Sequence, residues 1–517
     1  MKVQQPDSPA APNEDVRPRA GEPVPPTAAG KPALTGIAYD FGGARRRRRS
    51  AGLRRGANEP FPKAFASFRA FRGQKAFGPL VIAGLVLCAS GVQSGMRENF
   101  AERGAQAALF VERQPTAKEL AKRQTGAKFE PDFGCYLGGY IEFDKTIRRR
   151  VVDYDRRSRR DPAQFEERVG KPHAMYFFYV GYGRSLPLGW IRWLAERGKF
   201  VHIALEPNDG LDKVRDDAYL RRIGDQLGAS HARVFLRFGS EMNGEWTNYH
   251  KPKQYREKFR LVHDVMRRRA PNVAMVWCPY ATPVRNIPDY YPGDDATDWV
   301  GVNMYSVVYH NNRPSAPCEF EHPNDLLATV YNRYAARKPM MVCEFGATHF
   351  SQCDRRRRPD FAALKIGTLY RALPRLYPRV KAINYFDLST DGVHNDYSVT
   401  DDDRVLEAYK RSTAPDYFLP GAATRPKGGA APMPVRAGDM LRGSVDLSCF
   451  ARAPSDHVAV QYSLDGTVIY RAAHPIDWPC TWDAASVSPG RHTLAVDVFD
   501  ERGKRVANET VPVTTAR

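Results

Sequence analysis

Cysteine is scarce in this sequence, with eight residues in 517, and no two of them stand in C-x-x-C spacing or beside a cluster of histidines. A structural zinc site is therefore not expected, and we predict neither a metal nor another cofactor. Cys449 and Cys480 are the only pair in the last segment of the chain, and we expect them to form a disulfide. Cys318 and Cys353 are a second candidate pair.

The composition lacks the biases of fibrous and polytopic membrane proteins, because 42% of the residues are hydrophobic and 26% are charged. These shares indicate a globular protein, and the length predicts about three folded units, or fewer if one is a barrel. The net charge of +20 is unevenly placed, since residues 1–76 hold 15 Lys/Arg and only 6 Asp/Glu. The basic run Arg45 to Arg49 is isolated and has no interleaved aromatics, so we predict no nucleic-acid partner.

The N-terminal region has few aliphatic residues, and we expect residues 1–76 to be a disordered basic tail. Residues 77–96 carry no charge and contain the apolar stretch PLVIAGLVLCASGV. Two alternatives remain open for this segment, a cleaved secretion signal and a single membrane anchor. Both place the rest of the chain outside the cytoplasm, in the periplasm or beyond, because the basic charge precedes the segment. Residues 97–128 are expected to be a linker.

From residue 129 to 415, short apolar runs alternate with amphipathic helical stretches, the pattern of parallel βα units. The eight predicted strands are residues 132–140, 173–182, 199–207, 233–241, 273–281, 298–306, 339–347 and 380–389. Eight such units predict an α/β fold, a (β/α)8 TIM barrel, in which chemistry is placed at the C-terminal ends of the strands.

The C-terminal part begins with a Pro/Gly-rich linker, residues 416–438, followed by alternating runs over residues 439–517. These runs, with Asp465-Gly466 as a hairpin turn, predict a small all-β immunoglobulin-like sandwich. A spacer role is the simpler interpretation. If the unit binds carbohydrate, Trp478 and Trp482 are its aromatic candidates.

Two predicted strands end in a carboxylate. Glu241 closes the fourth strand in the stretch RFGSEMNGEW, and Glu344 closes the seventh in MVCEFG. Two carboxylates at one barrel mouth are what a retaining glycosidase requires, with one protonating the glycosidic oxygen and the other attacking the anomeric carbon at about 5–5.5 Å separation. Singly, each could instead be a helix-capping acid or half of an ion pair.

Further polar and aromatic residues lie near the same strand ends. Arg237 is expected to point into the barrel and to orient Glu344. Aromatic rings stack on the C–H faces of sugars, so they are candidates for substrate binding. The candidate substrate-binding residues are Arg237, Asn243, Trp246, Trp277, Tyr305 and Tyr385. His349, shortly after Glu344, is a further candidate that either adjusts the pKa of Glu344 or binds substrate, although a lone histidine is more often structural.

The stretch RFGSEMNGEW resembles the acid/base motif of glycoside hydrolase family 26, the β-mannanase family of (β/α)8 barrels with catalytic Glu on strands four and seven. YYPGDDATDWVGVNMY (290–305), CEFG (343–346) and VWCPY (276–280) are similar to further blocks of that family. The resemblance implies that Glu241 is the acid/base, Glu344 the nucleophile and Tyr305 a contact of the nucleophile. It also implies that Trp277 lines the cleft. One departure is Ser240, which stands where the family usually carries His.

These patterns predict a retaining glycoside hydrolase that cleaves β-linked glycans, either β-mannan or a related β-glucan or xylan, by double displacement. The alternative is a polysaccharide-binding or exopolysaccharide-processing barrel at the cell envelope with little or no turnover. Retention of both carboxylates favours the enzyme. The expected partners are a polysaccharide or oligosaccharide and, if residues 77–96 are not cleaved, a membrane.

Overall fold

The structure, a computed structural model, describes residues 104–152, 158–389, 395–422, 429–454, 458–473 and 479–516. The expected tail, residues 1–76, and the apolar segment, residues 77–96, lie outside the described residues. Among the helices that are described, none combines the length and apolarity needed to cross a membrane.

The described elements are numbered in chain order. The strands are β1 Gln106–Arg113, β2 Cys135–Phe143, β3 Arg150–Val152, β4 Ser158–Arg160, β5 Met175–Gly181, β6 Phe200–Glu206, β7 Val234–Phe238, β8 Val273–Trp277, β9 Trp299–Ser306, β10 Met340–Ala347, β11 Phe350–Ser351, β12 Arg356–Arg357, β13 Val380–Leu388, β14 Phe418–Leu419, β15 Ala431–Pro434, β16 Met440–Arg442, β17 Ser444–Arg452, β18 Ala459–Leu464, β19 Thr467–Ala472, β20 Cys480–Asp483, β21 Gly490–Phe499 and β22 Arg505–Ala516. The α-helices are α1 Ala117–Ala121, α2 Pro162–Val169, α3 Leu188–Glu196, α4 Ala218–Ala229, α5 Pro252–Arg269, α6 Pro323–Tyr334, α7 Pro359–Leu376 and α8 Asp403–Thr413.

Eight parallel strands form a closed barrel, which confirms the predicted fold of the central region. The order is β2-β5-β6-β7-β8-β9-β10-β13, and β13 pairs in parallel with β2 to close the sheet. All eight predicted strands overlap the observed ones. The connection from β8 to β9 contains a single 3-10 turn, Ile287–Tyr290, where the other βα units have an α-helix.

Local sequence signals explain where the helices begin and end. In α2, Pro162 occupies the first turn, where its missing N–H is not needed, and the Asp161 carboxylate accepts from the Ala163 N–H at 2.9 Å. The helix ends at Gly170, whose φ of 73° is a left-handed conformation that favours glycine.

Two apolar layers surround the barrel wall because successive side chains of a strand face opposite sides. Phe200, Phe235 and Trp299 belong to the layer that fills the barrel interior. The opposite faces of the strands pack against the helices in a larger layer that includes Leu236 and Phe259. Residues at the C-terminal ends of the strands lie above the filled interior, and there the polar groups collect.

A second unit consists of two sheets, β15-β1-β17-β20 and β16-β22-β21-β18-β19, which share an apolar cluster. The segments expected to be linkers contribute to it, since β1 lies within residues 97–128 and β15 within 416–438. In β1, Leu109 and Val111 join this cluster while Phe110 packs with the barrel layer. The sequence did not indicate this because β1 is separated from its sheet partners by the whole barrel.

Side chains of the two-sheet unit also contact the barrel directly. Arg452 of β17 forms a two-bond ion pair with Asp325 of α6, with both nitrogen–oxygen distances at 2.7 Å and both side chains buried. Trp482 is buried within the two-sheet unit. Trp478 lies outside the described residues. An immunoglobulin-like connectivity for this unit stays a prediction.

The expected disulfides are not formed, and the expectation for Cys449 and Cys480 is wrong in this structure. Cys480 lies opposite Leu447 in the β17–β20 register, so Cys449 is its diagonal neighbour. Diagonal neighbours are about 7–8 Å apart, which is beyond the reach of a disulfide. Cys318 and Cys353 are also free thiols.

Candidate active site

Glu241 lies in a tight turn directly after β7. The backbone turns at Gly239 and Glu241, which have φ values of 56° and 57°. A left-handed conformation is uncommon for a residue other than glycine and costs free energy, which the surrounding contacts must offset. The Glu241 N–H donates to the carbonyl of Cys278 at 2.9 Å, which fixes the turn against the neighbouring strand.

The Glu241 carboxylate accepts two hydrogen bonds, from the Trp246 indole N–H to Oε2 at 2.6 Å and from the Asn303 amide to Oε1 at 2.9 Å. Burial, followed by the negative charge of Glu344, raises the pKa of Glu241 from its ordinary value of 4.5 to about 7. The two hydrogen bonds act in the opposite direction because they favour the charged form. Glu241 therefore keeps its proton up to about neutral pH.

Glu344 lies on β10 and is buried. Its Oε1 accepts from the Arg237 guanidinium and from the Tyr179 hydroxyl, each at 2.5 Å, and its Oε2 accepts from the Tyr305 hydroxyl at 2.5 Å. Charge-assisted hydrogen bonds of this kind are short and strong, so they hold a carboxylate in one orientation. The predicted orientation of Glu344 by Arg237 and the predicted contact with Tyr305 are both present in the structure.

Asn303 links the two carboxylates into one hydrogen-bonded network. Its Oδ1 accepts from Arg237 at 3.0 Å while its Nδ2 donates to Glu241. Asn303 and Tyr179 were not among the candidates predicted from the sequence. Each of them is a polar group near the C-terminal end of an otherwise apolar strand, Asn303 in VGVNMY and Tyr179 in MYFFYVG, and this position was the signal that could have identified them.

A third carboxylate, Glu206 at the end of β6, stabilises the turn before Glu241. It accepts from the Ser240 N–H and hydroxyl, the latter at 2.6 Å, and from the Tyr249 hydroxyl at 3.0 Å. Burial raises the pKa of Glu206, against the opposing effects of the Arg237 charge and these hydrogen bonds. Ser240 thus fixes the turn that carries Glu241.

Asn243 does not offer its side chain to a ligand. Its amide donates to the carbonyls of Tyr280 and Pro283, at 2.9 and 3.3 Å, and its oxygen accepts from the Tyr280 N–H at 2.9 Å. All of these partners are backbone groups of the loop after β8. The structure corrects the expected substrate contact, because Asn243 positions that loop.

Trp277 and Tyr385 are also corrected, since both are fully buried. Trp277 packs edge-on against Tyr334 of α6, with ring centroids 5.2 Å apart. Tyr385 packs against Tyr409 of α8 at 5.4 Å, and its hydroxyl accepts from the Ala347 N–H. Both rings face the helix layer, because strand alternation places them on the side opposite the cleft.

Partly exposed aromatic rings near the carboxylates include Tyr179, which donates to Glu344, and the group Trp246, Tyr280 and Tyr305. Tyr280 and Tyr305 are nearly parallel, with centroids 6.5 Å apart, and Trp246 meets Tyr280 edge-on at 5.2 Å. Exposed faces beside a carboxylate pair suit the C–H faces of sugar rings. Tyr280 was not selected from the sequence, although it follows VWCP directly.

A carboxylate pair at the mouth of a (β/α)8 barrel is an arrangement found in the class of barrel glycosidases. Within that class, residues 202–316 match the sequence model of glycosyl hydrolase family 26, which confirms the resemblance read from the motifs. The matched range includes Glu206, Arg237, Glu241 and Tyr305, and it ends before Glu344.

Curated relatives show the same resemblance. A β-1,3-xylanase, TXYA, of a Vibrio species is 34% identical over 135 residues, covering 25% of this chain and 26% of the relative. A β-1,3-xylanase of an Alcaligenes species is 27% identical over 136 residues, with the same coverage of both chains. The chain therefore matches about a quarter of the length of these relatives. Among solved structures, a modular endo-β-1,4-mannanase from Cellulomonas fimi is 16% identical, with a TM-score of 0.42, covering 74% of this chain and 94% of that one.

Proposed function

We propose that this protein is a retaining glycoside hydrolase that cleaves β-linked glycans, with Glu344 as nucleophile and Glu241 as acid/base. The observation that carries the proposal is the network in which Arg237 and Asn303 join the two carboxylates while giving them opposite environments. A guanidinium and two hydroxyls donate to Glu344, whereas burial beside that charge keeps a proton on Glu241. Separated roles for two carboxylates are what a double displacement requires.

The first step follows from these environments. Glu344 attacks the anomeric carbon as the glycosidic bond breaks, and Glu241 gives its proton to the departing oxygen. In the second step the Glu241 carboxylate removes a proton from water, which attacks the same carbon and releases Glu344. Both substitutions invert the carbon, so the product keeps the configuration of the substrate.

The substrate is proposed as a β-linked xylan or mannan. Two relatives are named β-1,3-xylanases, and the aromatic rim formed by Trp246, Tyr280 and Tyr305 suits the faces of pyranose rings. The Ser240 hydroxyl donates to Glu206, so the side chain at this position does not make the polar contact that a histidine there would make. This difference favours β-1,3-xylan over β-mannan as the first substrate to test, with mixed-linkage glucan and β-1,3-glucan as further members of the panel.

The roles are tested with Glu344→Ala, Glu241→Ala and a control variant, Glu206→Gln. Glu344→Ala is expected to abolish turnover of every substrate, because no group remains to attack the anomeric carbon. Glu241→Ala should keep cleaving a nitrophenyl glycoside, whose leaving group needs no proton, while losing natural glycans. Azide should restore its turnover and yield a glycosyl azide of retained configuration, and it should not accelerate Glu206→Gln.

Three results would count against the proposal. Equal responses of the two Ala variants to leaving group and azide would refute the assignment of roles. A product of inverted configuration, followed by NMR during hydrolysis, would refute the retaining mechanism. If the protein bound a glycan of the panel but hydrolysed none of the panel glycans, it would instead be a polysaccharide-binding barrel.

We also propose that the barrel works outside the cytoplasm, on the basis of the uncharged segment 77–96 and the basic residues before it. A reporter that is active only after export, fused after residue 130, should show activity. An inactive export reporter together with an active cytoplasmic reporter at the same position would refute this localisation.

A further inference from the structure

His349 is a buried imidazole with no hydrogen bond at either ring nitrogen. It follows β10 by two residues, its side chain is fully buried, and neither Nδ1 nor Nε2 has a hydrogen-bond partner among the described residues. Buried polar atoms are almost always paired in folded proteins, so two unpaired nitrogens on one ring are unusual.

Two carboxylates face this imidazole from the loop after β13. The distance from His349 Nε2 to Asp401 Oδ2 is 4.0 Å, and one side-chain atom each of His349, Asp396 and Asp401 lies within 4.8 Å of the other two. The backbone N–H of His349 donates to the backbone carbonyl of Asp396 at 3.0 Å, which fixes the two loops against each other. Asp396 is buried and Asp401 is exposed, so the cluster opens to solvent on one side.

We propose that His349, Asp396 and Asp401 bind a divalent transition-metal cation. A neutral imidazole and two carboxylates form a donor set that suits Zn²⁺ and related ions, and a divalent cation would balance the two negative charges. Metal–ligand bonds of about 2.1 Å place tetrahedral ligand atoms about 3.4 Å apart. The observed 4.0 Å is close to this separation, and the exposed Asp401 is the ligand free to move inward.

A second cluster, His310, Cys318 and Glu321, has similar spacing, but hydrogen bonds already engage one atom of each side chain. His310 Nε2 lies 2.7 Å from Glu321 Oε1, and the Cys318 thiol donates to the carbonyl of Val307 at 3.1 Å. A cation there would have to displace both hydrogen bonds. This cluster therefore provides the matched control for the proposed site.

The proposed site joins two loops that flank the catalytic network, although it does not depend on the proposed function. Asp396 precedes Tyr397, whose ring packs against Tyr305 at 5.3 Å, and Tyr305 donates to Glu344. A bound cation would hold the loops after β10 and β13 together. A cation that binds only the folded chain would raise the melting temperature, and the increase would grow with the logarithm of the free cation concentration above Kd.

The test is titration of Zn²⁺ into the full-length chain, freed of any histidine tag and stripped with a chelator, by isothermal titration calorimetry with thermal unfolding in parallel. We expect one Zn²⁺ per chain at the site and an increase in melting temperature. His349→Ala and Asp401→Asn should each weaken binding about 100-fold or more, since even loss of an outer contact costs 10–100-fold. Because Asp401 is exposed, its variant is expected to fold as the wild type does, which circular dichroism checks.

His310→Ala should bind Zn²⁺ as the wild type does. Mn²⁺ should bind more weakly than Zn²⁺, and Ca²⁺, which prefers oxygen ligands, more weakly still. The proposal would be overturned if His310→Ala lost Zn²⁺ binding while Asp401→Asn kept it. Tighter binding of Ca²⁺ than of Zn²⁺, or no Zn²⁺ binding at all, would also overturn it.

Discussion

Replacement of Glu241 by Gln is expected to stabilise the folded protein at neutral and alkaline pH. The structure raises the pKa of this carboxyl from 4.5 to about 7, chiefly through burial and secondly through the charge of Glu344. Folding therefore favours the protonated form, and the associated stability is fully present below pH 4.5. It is lost as the pH rises towards 7, because the folded state must then accommodate a second buried charge.

The size of this effect follows from the shift. A pKa difference of 2.5 between the folded and unfolded states corresponds to about 3 kcal/mol. Gln has no proton to lose and keeps an oxygen that can accept from the Trp246 indole. The free energy of unfolding of Glu241→Gln, minus that of the wild type, should therefore rise by about 3 kcal/mol between pH 4.5 and pH 8.

The assay is denaturant unfolding of the two proteins at several pH values, with the transition of the barrel followed by fluorescence. All other titrating groups are shared, so the difference between the proteins isolates position 241. Activity on natural glycans should be lost in the variant, and the basic limb of the wild-type kcat/KM profile should lie near pH 7. A stability difference that does not change between pH 4.5 and pH 8 would refute the raised pKa and with it the general-acid role.

Three further outcomes are expected. Trp246→Phe removes a hydrogen bond that favours the ionised form of Glu241, so the pKa of Glu241 should rise. The basic limb of the kcat/KM profile should then move up by about one pH unit. A limb at the same pH as in the wild type would contradict this. Trp277→Ala should cost about 3–5 kcal/mol of unfolding free energy while leaving KM unchanged, because the ring lies in the helix layer. A large change in KM with native stability would show instead that Trp277 lines the cleft. Arg452→Ala should cost about 3–5 kcal/mol in denaturant unfolding, because it leaves the buried Asp325 charge without its guanidinium; a loss below 1 kcal/mol would show that the ion pair contributes little.

The sequence by itself determined the barrel and the charged residues at its rim. Each strand is a short apolar run followed by a turn signal or an amphipathic stretch, and this pattern depends only on neighbours along the chain. Glu241, Glu344 and Arg237 could be found because a charged group at the end of, or within, an apolar strand stands out locally. The parallel order of the strands then brings their C-terminal ends to one rim.

The tertiary structure alone decided which side of the wall each aromatic ring faces. Trp277 and Trp246 both follow apolar runs, yet one is buried against α6 and the other donates to Glu241. A strand shifted by one residue exchanges its two faces, and the last residues of a strand no longer obey a clear alternation. The sequence therefore gives candidates for the rim but not their direction.

Contacts between distant segments were likewise decided only in three dimensions. β1 joins β15 and β17 across the entire barrel, and its single alternating run carries no sign of those partners. His349 lies about 50 residues from Asp396 and Asp401, so neither spacing nor motif connects them. The reason is physical, because the parallel pairing of β10 with β13, and not any local preference, brings the loops after these two strands together.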